Sequence, residues 1–179
     1  TYLFVPDGGD PSSKEIAATE NCNSCHDRFA IHGDGRFTYD YCQNCHNPYT
    51  RDQDYAELLD LSHMIHAIHA SEVRTEAAYV AAGGEIQRNG NCEDDLGNPV
   101  DDTAYDYKVL GYGERFSGDA ATDNFAEVTY PQAVNRCENC HNTETEGATE
   151  AGDWLVSATT TVCGGCHVSG IVASAPDAD

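Results

Sequence analysis

Apolar positions follow a helical period in one stretch of this 179-residue chain and almost nowhere else. That stretch, DQDYAELLDLSHMIHAIHASEVRTEAAYVAAGG, is rich in Ala, Leu and Glu and closes on Gly83-Gly84, which predicts a helix over roughly 54–81. At about 100° per residue, Leu58, Leu61, Met64, Ile65 and Ile68 gather on one side, and His63, His66 and His69 fan over an arc of about 120° on another. Three diverging imidazoles do not easily converge on one metal, but they can point at three separate centres. Alternation in YDYKVLGY (105–112) and FAEVTY (125–130) predicts two short strands, a small hairpin. The periodicity of a helix bundle or sheet sandwich is otherwise missing. With 40% hydrophobic residues, one Trp and one Met, the chain buries a modest core. Something other than aliphatic side chains must fill the interior.

The cysteines supply a candidate. Eight of the nine fall into one repeated pattern: CNSCH at 22–26, CQNCH at 42–46, CENCH at 137–141 and CGGCH at 163–167. A Cys-x-x-Cys-His run reads as a c-type haem attachment site. Positions i, i+3 and i+4 share one face of a helical turn, so Cys22 and Cys25 can form thioethers with two haem vinyls while His26 reaches the iron. Cys42, Cys45 and His46 repeat the arrangement, as do Cys137, Cys140 and His141, and Cys163, Cys166 and His167. The intervening residues are small or polar and do not obstruct the macrocycle. Zinc knuckles also use Cys-x-x-Cys pairs, but they do not require a histidine after every second cysteine. A disulfide across so short a loop would be strained and would leave the histidine unexplained.

Four haem c groups need four further axial ligands. The four histidines outside the motifs are His32, His63, His66 and His69; the only Met lies among them, and the only lysines are Lys14 and Lys108. Bis-histidine ligation at every iron is the economical assignment, with His26, His46, His141 and His167 proximal and the other four distal. The expected fold is a multihaem c-type cytochrome, mostly helix and coil with little sheet, its core filled by four haems. One domain over 1–179 is expected: a haem pair at about 20–82, an acidic Gly-rich connector at about 83–130, and a second pair at about 131–170.

The order CNSCHDRFAIHGDGR, YCQNCHNPYT, MIHAIHA, FAEVTYPQAVNRCENCHN, DWLVSATTTVCGGCH resembles one haem-bearing half of the outer-membrane decahaem cytochromes of the OmcA/MtrC type, over roughly 20–168. The resemblance implies an electron conduit at the cell surface or outside the cell, with closely packed bis-histidine haems and other c-type cytochromes and extracellular acceptors as partners. It also implies distal roles for His32, His66 and His69; His63 is assigned by count alone. The family's half carries five haems against four motifs here, and the expectation is a chain without the family's flanking β-domains or an N-terminal cysteine for a lipid. A small free-standing member or an assembling subunit is expected. A homopolymer filament follows as an expectation, with His32 the guess for a ligand donated by a neighbouring chain.

Charge narrows the partners further. The formal net charge is −22, which repels nucleic acid and anionic headgroups and discourages an anionic substrate. No apolar run approaches the ~18 residues of a membrane-spanning helix. The beginning, TYLFVPDGGDPSSKE, carries no secretory signal, so export, which thioether formation requires, implies a signal already removed. NCEDDLGNPVDD (91–102) has carboxylates able to hold calcium, but not at EF-hand spacing; a solvated loop is the ordinary reading. Cys92 is a free loop thiol or pairs between chains. Tyr39, Tyr41, Tyr107, Tyr112, Tyr130 and Trp154 are expected against porphyrin edges. An electron-transfer protein, not an enzyme, is the reading. Its rivals are a soluble periplasmic shuttle and a multihaem reductase of a small oxyanion, which would leave one iron open.

Overall fold

The structure is a computed structural model that describes residues 5–9, 14–48, 50–52, 57–71, 74, 85–86, 92–93, 107–110, 122–125 and 128–166. Its helices are α1 (Thr19–His26), α2 (Tyr39–Cys42), α3 (Leu61–His69), α4 (Trp154–Ser157) and α5 (Thr160–Cys166). Two 3₁₀ turns cover Cys137–Asn139 and Ala151–Asp153. Among the described residues, strand structure is limited to two small antiparallel pairs, β1 (Glu85–Ile86) with β2 (Cys92–Glu93) and β3 (Lys108–Leu110) with β4 (Thr122–Asn124). The expected mix of helix and coil with little sheet is what these residues form. They divide into two compact units, residues 1–46 with 135–158 and residues 47–134 with 159–179.

Among its described residues, the first unit has almost no aliphatic core. Its buried apolar cluster is Ala18, Ala148 and Ala151, and polar cross-links do the rest. Glu15 N–H donates to the Glu150 carboxylate at 2.9 Å, and Glu150 N–H returns to the Glu15 carbonyl at 3.1 Å. Asn21 donates to the Cys140 carbonyl and accepts from Thr145 Oγ1 at 2.7 Å. Tyr39 N–H, at the start of α2, donates to Thr19 Oγ1 of α1 at 2.9 Å, which ties the first two Cys-x-x-Cys-His turns together. Lys14 and Asp153 add an exposed ion pair, worth little in water.

In the second unit α3 begins later than its periodicity predicts. Asp60 is the N-cap, its carboxylate accepting from the N–H groups of Ser62 and His63, which satisfies orphan donors of the first turn. Just before it, Arg51 and Leu58 form an antiparallel bridge, closed by Asp52 N–H to the Glu57 carbonyl at 2.9 Å and Leu59 N–H to the Thr50 carbonyl at 2.7 Å. Leu58 therefore belongs to a turn rather than to the helix. Helical structure continues to Ser71 and Arg74; the expected end, with Gly83-Gly84, lies outside the described residues. The buried side is not simply the apolar one: Leu61, His63, Ala67, Ala70, Ser71 and Arg74 are buried, whereas Met64, Ile65 and Ile68 are only partly buried. Small residues decide this, because α5 packs closely on the alanine face.

Gly165 makes the approach possible. A Cβ built there would lie 2.7 Å from His66 Cβ, 3.0 Å from the His63 carbonyl oxygen and 3.2 Å from Ala67 N. Two of those neighbours are backbone atoms and cannot rotate away. The glycines of the fourth motif leave room for a macrocycle, and one of them, Gly165, also seats α5 on α3.

The hairpin expectation holds for its first strand and shifts for the second. The observed partner of Lys108–Leu110 is Thr122–Asn124, with Lys108 opposite Asn124, just ahead of the segment 125–130. Phe125 N–H still reaches the Tyr107 carbonyl at 3.1 Å, but Val128 N–H then folds back to the Phe125 carbonyl at 3.0 Å, a turn that ends the ladder.

Gly165→Ala is expected to lower stability by about 1–3 kcal/mol, the usual cost of overpacking, measured by denaturant unfolding. Gly35→Ala, with nothing within 4 Å of the added Cβ, is the control. Equal stability of the two variants would contradict the close α3–α5 contact.

Candidate haem centres

The described residues of the four Cys-x-x-Cys-His motifs lie on short helical pieces, as their spacing requires. Cys22, Cys25 and His26 occupy the end of α1, and Cys163 and Cys166 lie on α5; His167 lies outside the described residues. His46 N–H donates to the Cys42 carbonyl at 3.0 Å, and His141 N–H to the Cys137 carbonyl at 2.8 Å. Each is an i→i−4 bond that puts both cysteines and the histidine on one turn. None of the eight motif cysteines is in a disulfide. The first three motifs belong to the first unit, the fourth to the second. Burial pushes the Cys22 thiol up to about 11, with Cys140 and Cys42 close enough to add to the effect. The attachment points of three motifs thus converge within one unit.

Imidazole orientation carries more information. His66 Nδ1 lies 2.6 Å from the Ser62 carbonyl oxygen, and His69 Nδ1 lies 2.8 Å from that of Ile65. His63 Nδ1 is 2.9 Å from the Thr161 carbonyl oxygen, and His141 Nδ1 is 3.2 Å from that of Ile16. A carbonyl can only accept, so Nδ1 must carry the proton and Nε2 keeps the lone pair. A metal-binding histidine is held in this way, its second ring nitrogen donating to a carbonyl or carboxylate. His63 is 5% exposed, and its Nε2 is buried without a hydrogen-bond partner. Burial holds its pKa below the ordinary imidazole value, which favours the neutral form a metal requires.

His32 and His46 form the most specific pair. Their ring centroids are 6.0 Å apart and their planes differ by 10°. Two metal–imidazole bonds of about 2 Å, plus a ring radius of about 1 Å on each side, span about 6 Å. The separation fits two imidazoles on opposite sides of one metal. The loop carrying His32 is built for its position: Gly33 takes φ +85°, a left-handed turn that suits glycine, and Arg28 donates to the Asp34 carbonyl at 2.7 Å. His32 thus lies beside His46 of its own chain. Among the described residues, then, the donors suit haem: thiol pairs on single turns and imidazoles with fixed tautomers.

The aromatics named from the sequence have different surroundings. Tyr130 meets the His69 ring edge-on at 5.7 Å, and Trp154 lies 6.4 Å from that of His141. Tyr41 is exposed, and Tyr112 lies outside the described residues. Tyr107 is fully buried, and its hydroxyl donates to the Leu58 carbonyl at 2.7 Å. Its hydroxyl is thus engaged by a main-chain acceptor, and its ring packs between His63 and Arg74. The acidic segment 91–102 lies outside the described residues apart from the backbone of β2. Sequence reasoning missed Arg74, Ser71 and the Asp60 cap. The 63–67–71–74 spacing was a readable signal for the first two.

These features define a cytochrome domain built from short helical turns and coil. A family model described as "Outer membrane cytochrome MtrC/MtrF-like, domains II/IV" matches residues 14–178, and the chain belongs to that family. The crystal structure of the outer membrane decaheme cytochrome OmcA shares the fold, with a TM-score of 0.62 and 23% identity over 95% of this chain. This chain spans 21% of that OmcA chain. No curated protein matches it. The expected relation to OmcA/MtrC-type cytochromes is therefore present.

Burial raises the Tyr107 phenol well above its ordinary value, and Glu57 adds to the effect. A phenol raised on folding contributes stability that is complete below the unfolded pKa of about 10 and is lost as pH rises above it. Tyr107→Phe should remove that alkaline loss while costing about 1 kcal/mol at neutral pH for the hydrogen bond, both read from unfolding curves at pH 7 and pH 11. An unchanged alkaline slope would show that Tyr107 is not the group responsible.

Proposed function

We propose that the chain is a tetrahaem electron-transfer domain, a single unit of function over 1–179, acting at the cell surface or outside the cell. Its haems are attached through Cys22/Cys25, Cys42/Cys45, Cys137/Cys140 and Cys163/Cys166. His26, His46, His141 and His167 are the proximal ligands, and His32, His63, His66 and His69 the distal ones. The supporting observation is the His32–His46 pair, whose separation and near-parallel planes suit one iron between them. Bound haems supply one-electron Fe(III)/Fe(II) exchange. The chain's own residues fix imidazole tautomers through main-chain carbonyls, and with two histidines for each iron the bound haems would exchange electrons with little ligand rearrangement and would offer a substrate no open position. The formal charge of −22 also repels small oxyanions, so a reductase is the weaker reading. Its partners are other c-type cytochromes and extracellular electron acceptors. No helix among the described residues is long and apolar enough to cross a membrane.

Intact mass under denaturing conditions should exceed that of the polypeptide by four haems; a zinc adduct or fewer haems overturns the assignment. His32→Ala should keep all four covalent haems yet convert one low-spin iron to a high-spin iron that binds carbon monoxide. Stoichiometric carbon monoxide binding by the unaltered protein would favour the reductase instead.

A homopolymer is the second reading, supported by Leu155 and Val156, which are 68% and 84% exposed and give the first unit an apolar contact surface. A head-to-tail contact that does not close propagates as a filament. Negative-stain microscopy at physiological salt should show filaments; particles of single-chain size would rule them out.

A further inference from the structure

Among the described residues, the buried side-chain polar atoms without a hydrogen-bond partner are His63 Nε2, Ser71 Oγ, and Arg74 Nε and Nη1. All belong to one unit and one helical stripe. Positions 63, 67, 71 and 74 follow i+4 and i+3 steps, so they stack on the same face, and Ala67 between them keeps the stripe low. Burial there is nearly complete: Arg74 is 4% exposed, Ser71 0% and His63 5%. Tyr107 touches both ends, with its ring centroid 6.0 Å from that of His63 and 5.3 Å from the Arg74 guanidinium carbon.

A buried guanidinium with unused donors is costly, because desolvation is offset only when its N–H groups are satisfied. Glu57 answers part of the charge, at 3.7 Å from Arg74 Nη2. That contact engages one nitrogen and leaves Nε–H and Nη1–H unmet. Every orphan on Arg74 is a donor, and the Ser71 hydroxyl one turn back can also donate. A carboxylate is acceptor-only, with room for several such bonds, and charge-assisted bonds from arginine are the strong kind.

Resting on the haem reading above, we propose that Ser71 and Arg74 form a buried carboxylate site that holds a propionate of a haem carried by the second unit. His63 marks the other end of the same stripe and presents its lone-pair nitrogen there. The site neutralises a propionate that would otherwise be buried as an uncompensated anion. Because a nearby cation stabilises the more negative, reduced haem, Arg74 also raises the midpoint potential of that haem. Ser71 and Arg74 are positioning residues. The competing occupant of the stripe is ordered water, which can also satisfy buried polar groups.

The test uses the haem-loaded full chain with Ser71→Ala, Arg74→Gln and Arg74→Lys, each first counted for covalent haem by intact mass. Resonance Raman of the reduced protein reads the propionate bending band directly. The expected result is a shift of that band in Ser71→Ala and Arg74→Gln at unchanged haem count. Spectroelectrochemical titration should show one haem couple moved to lower potential in Arg74→Gln, and that potential largely retained in Arg74→Lys. An unmoved band in both Ser71→Ala and Arg74→Gln, at full haem count, overturns the propionate assignment alone and gives the stripe to water. Should Arg74→Gln fail to fold, Ser71→Ala decides by the same band. An unaltered protein without covalent haem overturns this proposal and the haem reading together, at the first mass measurement.

Discussion

The interaction on which the rest depends is the bond between a histidine Nδ1–H and a main-chain carbonyl. His63, His66, His69 and His141 all lie within hydrogen-bonding distance of one, over 2.6–3.2 Å. It settles which nitrogen keeps the lone pair and which way the ring faces, without spending a carboxylate. His66 and His69 find their carbonyl four residues back on their own helix. His63 and His141 must borrow one from a distant segment, Thr161 and Ile16. For the second pair, ring orientation is a product of tertiary packing, and any change that moves α5 from α3 also releases His63.

Polar cross-links stand in for an aliphatic interior. In the first unit, three alanines form the buried apolar cluster while Glu15, Asn21, Thr145 and Glu150 bond across long sequence separations. Such bonds contribute about 1 kcal/mol each, which sets geometry better than it supplies stability. A chain of this kind gains from covalent cofactors in two ways: they would add apolar surface, and thioethers would keep them attached where few aliphatic side chains could hold them. The converging thiols of Cys22, Cys42 and Cys140 suit that arrangement.

The second unit concentrates its oddities on one helical stripe. Small residues let α5 approach, and the same stripe buries an imidazole, a hydroxyl and a guanidinium with unmet hydrogen-bonding atoms. A net-negative chain with only nine basic residues has placed one of them, Arg74, in its interior. Glu57 beside it feels both influences: burial raises its carboxyl, and the Arg74 guanidinium lowers it.

The sequence by itself determined what is local. Each Cys-x-x-Cys-His turn follows from its spacing, since i, i+3 and i+4 share a face whatever surrounds them, and the family relation follows from the order of those turns. The existence of α3 was also legible, but its start was not. Asp60 caps it only because the preceding bridge turns the chain there. Tertiary structure decided the rest. Which face of α3 is buried depended on α5 arriving from about a hundred residues away, and close approach selected alanine and glycine over the more hydrophobic Met64, Ile65 and Ile68. The strand partner of Lys108–Leu110 moved to Thr122–Asn124 because the chain turns back at Phe125. The placement of His32 beside His46 required a loop closed by Gly33 and Arg28, a relation that periodicity cannot express. Local spacing encodes geometry within a turn of helix; contacts between remote segments exist only once backbone and side chains have competed for the same space.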